Sequence, residues 1–326
     1  MKVWSLQSLR FFAALAVVIF HAESLAFAKT GQAGLLGTNQ VRLGQIGVDI
    51  FFVLSGLIIA LTSKGLSPGA FAAKRATRIL PLYLMMTALY FVARLPAGPV
   101  GWREVVTSLT LWPALDQMTN PIVGVAWTLC FEALFYAAAT LVLWRPKMVW
   151  LLAAVFLAAL GLQADPVTRF VGNPLILEFL AGVGLAFLPP MRGAVLLLPI
   201  GLVLAWFLGP AGYQTTVGGL YGDHCWERVL YFGVPAAMIV WGAWQLKTRE
   251  GVLSYLGETS YALYLVHPSL LVAVFWLLVR IPGLAPDAMV AIAAAVSVVV
   301  AWRVHEVVEK PVLRWLRRRP PQPAFA

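Results

Sequence analysis

The feature that most constrains this chain is a series of long apolar blocks that follow one another along almost its whole length. In residues 151–162 and 290–302, for example, apolar residues run together without alternating with polar ones. A transmembrane β-barrel would alternate apolar and polar residues in segments of about ten. Hydrophobic residues make up 61% of the chain and charged residues 12%, which excludes a soluble globular enzyme, a disordered chain and a coiled coil. The sequence therefore predicts an all-α, polytopic membrane helix bundle.

Ten segments are apolar over about the 20 residues that a helix needs to cross the hydrocarbon core. They cover residues 6–27, 44–63, 79–95, 124–144, 149–164, 172–189, 193–209, 229–246, 259–280 and 287–308. Residues 101–113 are interrupted by Arg103, Glu104 and Pro113, so we interpret them as a surface or re-entrant piece. No polar stretch is long enough for a core of its own. Residues 1–311 are therefore predicted to form one transmembrane domain.

The positive charges predict an orientation rather than a nucleic-acid partner. The net charge is +10, and a cytoplasmic N-terminus would place 15 Lys and Arg inside and seven outside. Short cytoplasmic loops of membrane proteins collect Lys and Arg. We therefore expect both termini in the cytoplasm of a multi-pass protein of the bacterial inner membrane, with no nucleic acid bound. Residues 312–326, which are basic and contain Trp315, are predicted to form a cytoplasmic tail on the surface of the lipid bilayer.

Ionisable residues inside the predicted spans are the first candidates for a functional site. A charged side chain at the centre of a bilayer is costly, so such residues are rare unless they have a function. Eight residues qualify, namely Arg10, His21, Asp49, Glu132, Glu178, His267, Arg303 and His305.

One level of the bundle is predicted to contain four of these residues, namely His21, Asp49, Glu132 and Glu178. Arg10 and His21 project from one face of the first helix, about 16 Å apart along its axis. The hairpin to the second span brings Asp49 to the depth of His21, and Glu132 and Glu178 also fall in the outer half. We expect one polar cavity there, in which Asp49 hydrogen-bonds to His21 and prepares it as a general base. A hydrogen bond between helices is the alternative for His21.

Arg75 and Arg78 form a different pattern on the cytoplasmic side. They are one helical turn apart, and two guanidinium groups on one face suit a phosphate. The alternative is that they only anchor the helix at the membrane surface.

The ninth span carries Ser260, Tyr264 and His267 on one face. Tyr264 and His267 either line the cavity from the inner half or hydrogen-bond between helices. Arg303 and His305 are interpreted as structural: they either extend to the membrane surface or pair with Glu306 or Glu309.

These residues fall within seven short motifs that resemble the acyltransferase-3 family of membrane acyltransferases. In chain order the motifs are SLR at residues 8–10 with His21, GVDIFFVLSG at 47–56, RATRILPLY at 75–83, WTLCFEALFY at 127–136, NP at 173–174 with EF at 178–179, SYALYLVHP at 260–268 and EKP at 309–311. Each motif is weak alone, but seven in order cover nearly the whole chain. The length is most similar to that of exopolysaccharide O-acetyltransferases.

The resemblance implies transfer of an acyl group, usually acetyl, from cytoplasmic acetyl-coenzyme A to a sugar hydroxyl of an extracytoplasmic or lipid-linked glycan. It assigns essential roles to Arg10 and His21, and a cytoplasmic arginine pair to Arg75 and Arg78. The donor's route would also include Tyr264 and His267.

In this scheme His21 is the general base, held by Asp49, and an acyl-histidine intermediate is left open. Glu132 serves catalysis or, with Glu178 and Trp127, binds the acceptor sugar. No metal is expected. The alternative function is a proton-coupled transporter of a sugar or small anion, since transporter relays use the same residue types.

Overall fold

The computed structural model describes residues 3–34, 42–212 and 225–318, and this part of the chain is all-helical apart from one isolated β-bridge between Ala114 and Met118. This confirms the predicted all-α class. In chain order the helices are α1 (Trp4–Thr30), α2 (Ile46–Thr62), α3 (Pro68–Arg94), α4 (Trp102–Thr110), α5 (Trp127–Trp144), α6 (Met148–Leu162), α7 (Pro166–Val171), α8 (Ile176–Leu185), α9 (Leu197–Gly212), α10 (Cys225–Arg228), α11 (Val234–Gln245), α12 (Val252–Glu258), α13 (Ser260–Leu278), α14 (Pro286–Val304) and α15 (Lys310–Arg318).

Six helices within the described ranges are long and apolar enough to cross a membrane. They are Trp4–Thr30, Leu43–Thr62, Pro68–Arg94, Gly124–Trp144, Ser260–Leu278 and Pro286–Leu316. These correspond to the first four and last two predicted spans. The chain is therefore an all-α protein with several membrane-spanning candidates.

The remaining predicted spans are less regular. The fifth and sixth become Met148–Leu162 and Pro166–Leu185, which are bent by 118° at their junction and form either a broken span or a re-entrant loop. The seventh is a shorter apolar helix, Gly193–Gly209. The eighth contains a π-helical turn, Val229–Gly233, before α11. The count of ten spans and the cytoplasmic termini remain predictions.

Helix α4 is the segment that was interpreted as a surface or re-entrant piece. Its nine residues are too few to cross a bilayer. Arg94, at the end of α3, donates to Glu104 at 2.6 Å. This hydrogen bond from the guanidinium holds the pKa of the Glu104 carboxyl below its usual value.

Helices α1 and α2 lie at the centre and contribute to both hydrophobic core clusters. Helix α2 packs closely against α8. A Cβ atom on Gly56 would collide with the carbonyl oxygen of Phe179, and one on Gly182 with that of Val53. Small residues let membrane helices approach this closely, so the two glycines set the distance between α2 and α8.

The last helix continues beyond the predicted end of the transmembrane domain. A π-helical turn, His305–Glu309, joins α14 to α15, which ends at Arg318. Within this turn Nδ1 of His305 lies 2.7 Å from Oε2 of Glu309, which agrees with the structural role predicted for His305. Residues 319–326 of the predicted tail lie outside the described residues, and the boundary at 311 stays a prediction.

Candidate active site

A cavity of about 810 Å³, including its open mouth, lies between α1, α2, α3, α5 and α13. Its polar lining consists of three arginines, one carboxylate and several hydroxyl groups. These belong to Arg10, Ser55, Arg75, Arg78, Thr128, Glu132, Tyr136, Ser260, Tyr261 and Tyr264. The fold therefore brings the arginine pair predicted to bind phosphate into one cavity with Arg10 of α1. Tyr264, predicted on the donor's route, lines it as well.

Arg75 is a buried cation whose hydrogen bonds are incomplete. It is 8% exposed, and its Nη2 donates to the hydroxyl of Thr62 at 2.8 Å. The guanidinium also lies over the rings of Phe71 and Tyr136, at 5.2 and 5.4 Å from their centroids. Its Nε has no hydrogen-bond partner within the described part of the chain. A buried charged donor left unpaired is costly, so this site suits an anionic ligand.

Arg75 and Arg78 both lie on α3, because this helix begins at Pro68 and not at the predicted start of the span at residue 79. They are therefore one helical turn apart. Ser67 caps this helix, with its hydroxyl accepting from the Ala70 N–H. The cap and Pro68 at the first helical position fix the helix start here. The guanidinium of Arg78 is exposed and lines the same cavity.

Glu132 lies in this arginine-lined cavity and not at the level of His21. It accepts hydrogen bonds from Ser55 of α2, at 3.2 Å, and from the hydroxyl of Tyr136. The Glu132 carboxylate also lies close enough to the Arg10 guanidinium for electrostatic attraction between the two groups. The predicted grouping of Glu132 with His21 is therefore wrong, because helix rotation and tilt place its carboxyl among the arginines.

His21 and His267 form a pair between α1 and α13. The Nδ1 of His21 is 3.2 Å from the Nε2 of His267 and 2.9 Å from the carbonyl oxygen of Val17. His267 is buried, and its ring lies 5.9 Å from that of Tyr264, which lines the arginine-lined cavity. His267 thus lies at the level of His21 and links it to the cavity through Tyr264.

The backbone contacts of these two histidines assign their protons. A carbonyl oxygen only accepts, so His267 Nδ1–H donates to Leu263 O at 3.1 Å. In the neutral ring, Nε2 then accepts. His21 Nδ1–H donates to Val17 O at 2.9 Å and also faces His267 Nε2 at 3.2 Å, so two acceptors share this one proton. His21 is left with a lone pair on Nε2, to which no group in the described part of the chain donates. This is the protonation state that a general base requires.

Asp49 pairs with Arg228 and not with His21. Arg228 donates from Nε and Nη2 to the two oxygens of Asp49, at 2.8 and 2.9 Å, and both side chains are buried. The predicted Asp49–His21 hydrogen bond is therefore wrong. The physical reason is that a buried carboxylate takes a bidentate guanidinium partner, which satisfies its charge better than a neutral imidazole.

Glu178 and Trp127 belong to the surroundings of this ion pair. Glu178 is 2% exposed, lies beside Asp49 and occupies the space that a side chain at Gly233 would need. Trp127 packs edge-to-face on Phe52 and lies under the Arg228 guanidinium. Neither residue lines the arginine-lined cavity. Their predicted contact with the acceptor sugar stays a prediction.

The sequence reading missed Arg228 as a site residue and His267 as the partner of His21. Arg228 was counted among the positive charges of an outer loop, because it adjoins the start of a predicted span. Its signal was its position directly before an apolar run. For His267 the sequence predicted the correct face of its helix, but a depth too close to the cytoplasmic side of the bundle.

The acyltransferase-domain family profile (Acyl_transf_3) matches residues 3–305 of this chain. The exopolysaccharide production protein ExoZ of Rhizobium meliloti is 31% identical over 327 residues, which cover 93% of this chain and 96% of that protein. Acyltransferase MdmB of Streptomyces mycarofaciens is 30% identical over 368 residues, covering 97% of this chain and 93% of that protein. No solved structure matches the chain significantly.

Proposed function

This chain belongs to the acyltransferase-3 family and is a membrane acyltransferase, and from that premise we propose that it transfers an acetyl group from acetyl-coenzyme A to a sugar hydroxyl of a glycan. The observation that carries this proposal is the cavity that connects the arginines with Tyr264, beside the His21–His267 pair. The family membership sets the transporter alternative aside.

The arginines serve the anionic end of the donor. Coenzyme A carries several phosphates, and guanidinium groups form strong, geometrically specific hydrogen bonds with phosphate oxygens. Arg75 and Arg78 hold the nucleotide end, with the unpaired Nε of Arg75 among the donors. Arg10 lines the route of the pantetheine arm towards the histidines.

His21 serves the chemistry. Its free Nε2 takes the proton of the sugar hydroxyl as the hydroxyl oxygen attacks the thioester carbonyl carbon. The tetrahedral intermediate then collapses, the carbon–sulfur bond breaks, and the leaving thiolate takes the proton from His21. His267 is a positioning residue, because its Nε2 faces His21 Nδ1–H and, together with Val17 O, holds the proton on Nδ1 and the lone pair of His21 on the other nitrogen.

Glu132 balances the positive charge of the cavity. Three arginines on one apolar-walled cavity repel one another, and a carboxylate among them lowers that cost. Through its hydrogen bond with Tyr136, on whose ring Arg75 stacks, Glu132 also fixes the orientation of Arg75.

We place the arginine-lined mouth in the cytoplasm and the acceptor on the opposite side of an inner membrane. Support comes from the distribution of Lys and Arg along the chain and from the separation of Arg10 and His21 along α1 by about 16 Å. The donor's pantetheine arm then crosses part of the bundle, while its nucleotide stays at the cytoplasmic face.

The test uses the full-length protein in sealed vesicles of known orientation, with acetyl-coenzyme A and an exopolysaccharide fragment. We expect free thiol on the cytoplasmic side and acetylated glycan on the other. His21→Ala should abolish transfer while acetyl-coenzyme A still binds. Transfer that proceeds with donor and acceptor both confined to the cytoplasmic face would refute the cross-membrane arrangement, and no transfer by wild-type protein from either side would refute the substrate assignment.

A further inference from the structure

A second cationic cavity lies beyond the histidine pair, on the side away from Arg10, Arg75 and Arg78. It measures about 730 Å³ including its open side and is lined by Leu25 and Lys29 of α1 and by Val272, Trp276, Val279 and Arg280 of α13 and the turn that follows it. We call it the outer cavity. Two cations from different parts of the chain line it, and among the residues that the structure describes no acidic one is part of the lining.

The outer cavity and the arginine-lined cavity lie on opposite sides of the same pair of histidines. On α1, Arg10 precedes His21 by about 16 Å and Lys29 follows it by about 12 Å along the axis. On α13, Tyr264 lines the first cavity, His267 contacts His21, and Val272 and Trp276 line the second. Both helices therefore run in the same direction from one cationic cavity, past the histidines, to the other.

The chemistry of the outer cavity fits an anionic group on an amphipathic molecule. The Arg280 guanidinium lies 3.7 Å from the centroid of the Trp276 ring and donates from Nη1 to the carbonyl oxygen of Trp276, which leaves its other N–H groups for a ligand, and Lys29 supplies a second charge. Trp276 is 60% exposed and Val272 is 63% exposed on the apolar outer face of α13. An occupant would thus meet two cations at one end and a lipid-facing apolar surface along its side.

We propose that the outer cavity binds the phosphate of a lipid-linked saccharide, the acceptor of the reaction. The phosphate contacts Lys29 and Arg280, the lipid chain lies along Val272 and Trp276, and the attached sugar reaches back towards His21. This inference rests on the acyl transfer proposed above and names its acceptor class. Each anionic substrate then has its own cationic cavity, and the reacting groups meet at the histidines between them.

Anchoring of a helix end at the membrane surface is the simpler role for Trp, Lys and Arg. Two other arginines on this protein illustrate that role: Arg145 lies over Trp144 and Arg303 over Trp302, at 4.7 and 4.6 Å. In each pair the arginine and the tryptophan are adjacent in the chain, and neither pair lines either of the two cavities. Lys29 distinguishes the outer cavity, because it brings a second cation from another helix to the Arg–Trp pair.

The test measures binding of a polyprenyl phosphate and of the polyprenol of equal chain length to the full-length protein in phosphatidylcholine nanodiscs. The phosphate should bind at least about tenfold more tightly, as expected for hydrogen bonds to a charged group. Lys29→Ala with Arg280→Ala should remove that preference, while Lys29→Arg with Arg280→Lys should keep most of it. The matched control is Arg145→Ala with Lys147→Ala, which removes an Arg–Trp anchor and a neighbouring cation elsewhere.

Equal binding of polyprenol and polyprenyl phosphate would overturn the proposal, as would an equal loss of binding in the control variant. Competition by free inorganic phosphate at the affinity of the polyprenyl phosphate would overturn the lipid assignment. Acetyl-coenzyme A binding, measured on the same samples, should be unchanged in all three double variants. If wild-type protein binds the polyprenyl phosphate through Lys29 and Arg280 but not acetyl-coenzyme A, the donor assignment fails and the outer site stands.

Discussion

Asp49 of α2 and Arg228 of α10 form a buried, bidentate ion pair although 179 residues separate them along the chain. Nη2 of Arg228 also donates to the carbonyl oxygen of Gln45 at 3.4 Å. The pair thus fastens the N-terminal end of α2 to the segment that leads into α11. It gives Asp49 a role in holding the bundle together, in place of the orienting role at His21 that the sequence predicted.

Asp49→Asn should destabilise the protein, because it removes the carboxylate charge that accepts both hydrogen bonds of the buried Arg228 guanidinium. Breaking a buried pair by removing one partner costs about 3–5 kcal/mol. Thermal unfolding in detergent measures this loss. Asp116→Asn is the control, since Asp116 pairs with Arg103 at the exposed end of α4 and such pairs contribute about 0–1 kcal/mol. A stable Asp49→Asn variant that loses turnover would restore the catalytic role.

His267→Phe should lower turnover by about 10–100-fold with little change in donor KM, because it removes the imidazole that positions His21 together with Val17 O. His267→Gln should recover part of the activity, since its amide oxygen can accept from His21 Nδ1–H. Steady-state kinetics of the two variants provide the measurement. A proportional rise in donor KM in both would instead assign His267 to the donor's binding site.

Arg75→Ala and Arg78→Ala should each weaken acetyl-coenzyme A binding. Loss of one hydrogen bond to a charged group costs about 1.5–3 kcal/mol, which corresponds to about a 10- to 150-fold change in Kd. Calorimetry on the purified protein measures this directly. Lys74→Ala is the control, because Lys74 is exposed on the same helix and does not line the cavity. Unchanged affinity in both arginine variants would return them to membrane anchoring.

Gly182→Ala should destabilise the contact between α2 and α8, because the added Cβ would collide with the carbonyl oxygen of Val53. Overpacking of this kind costs about 1–3 kcal/mol. Gly184, on the same helix, has open space at its Cβ position, so Gly184→Ala should leave the melting temperature nearly unchanged. Equal melting temperatures for the two variants would contradict the close approach of the helices.

Local patterns predicted the features that depend on neighbouring residues in the chain. The first four and last two spans follow from apolar runs, since a run of that length is stable only across lipid. The placement of Arg75 and Arg78 one turn apart follows from helix geometry alone. The arginine-lined cavity therefore contains the pair that the sequence singled out.

The sequence by itself determined the helical membrane architecture and the residue types available for acyl transfer, because both depend on composition and on spacing within single helices. Only the tertiary structure decided which buried groups meet. His21 and His267 are 246 residues apart, and Asp49 and Arg228 are 179. A contact between helices depends on the rotation, tilt and depth of each helix, and these are set by packing against neighbours. The spans that carry Glu132 and His267 begin and end within two residues of their predicted bounds, so the relative rotation, tilt and depth of the helices placed these residues at other levels and gave Asp49 another partner.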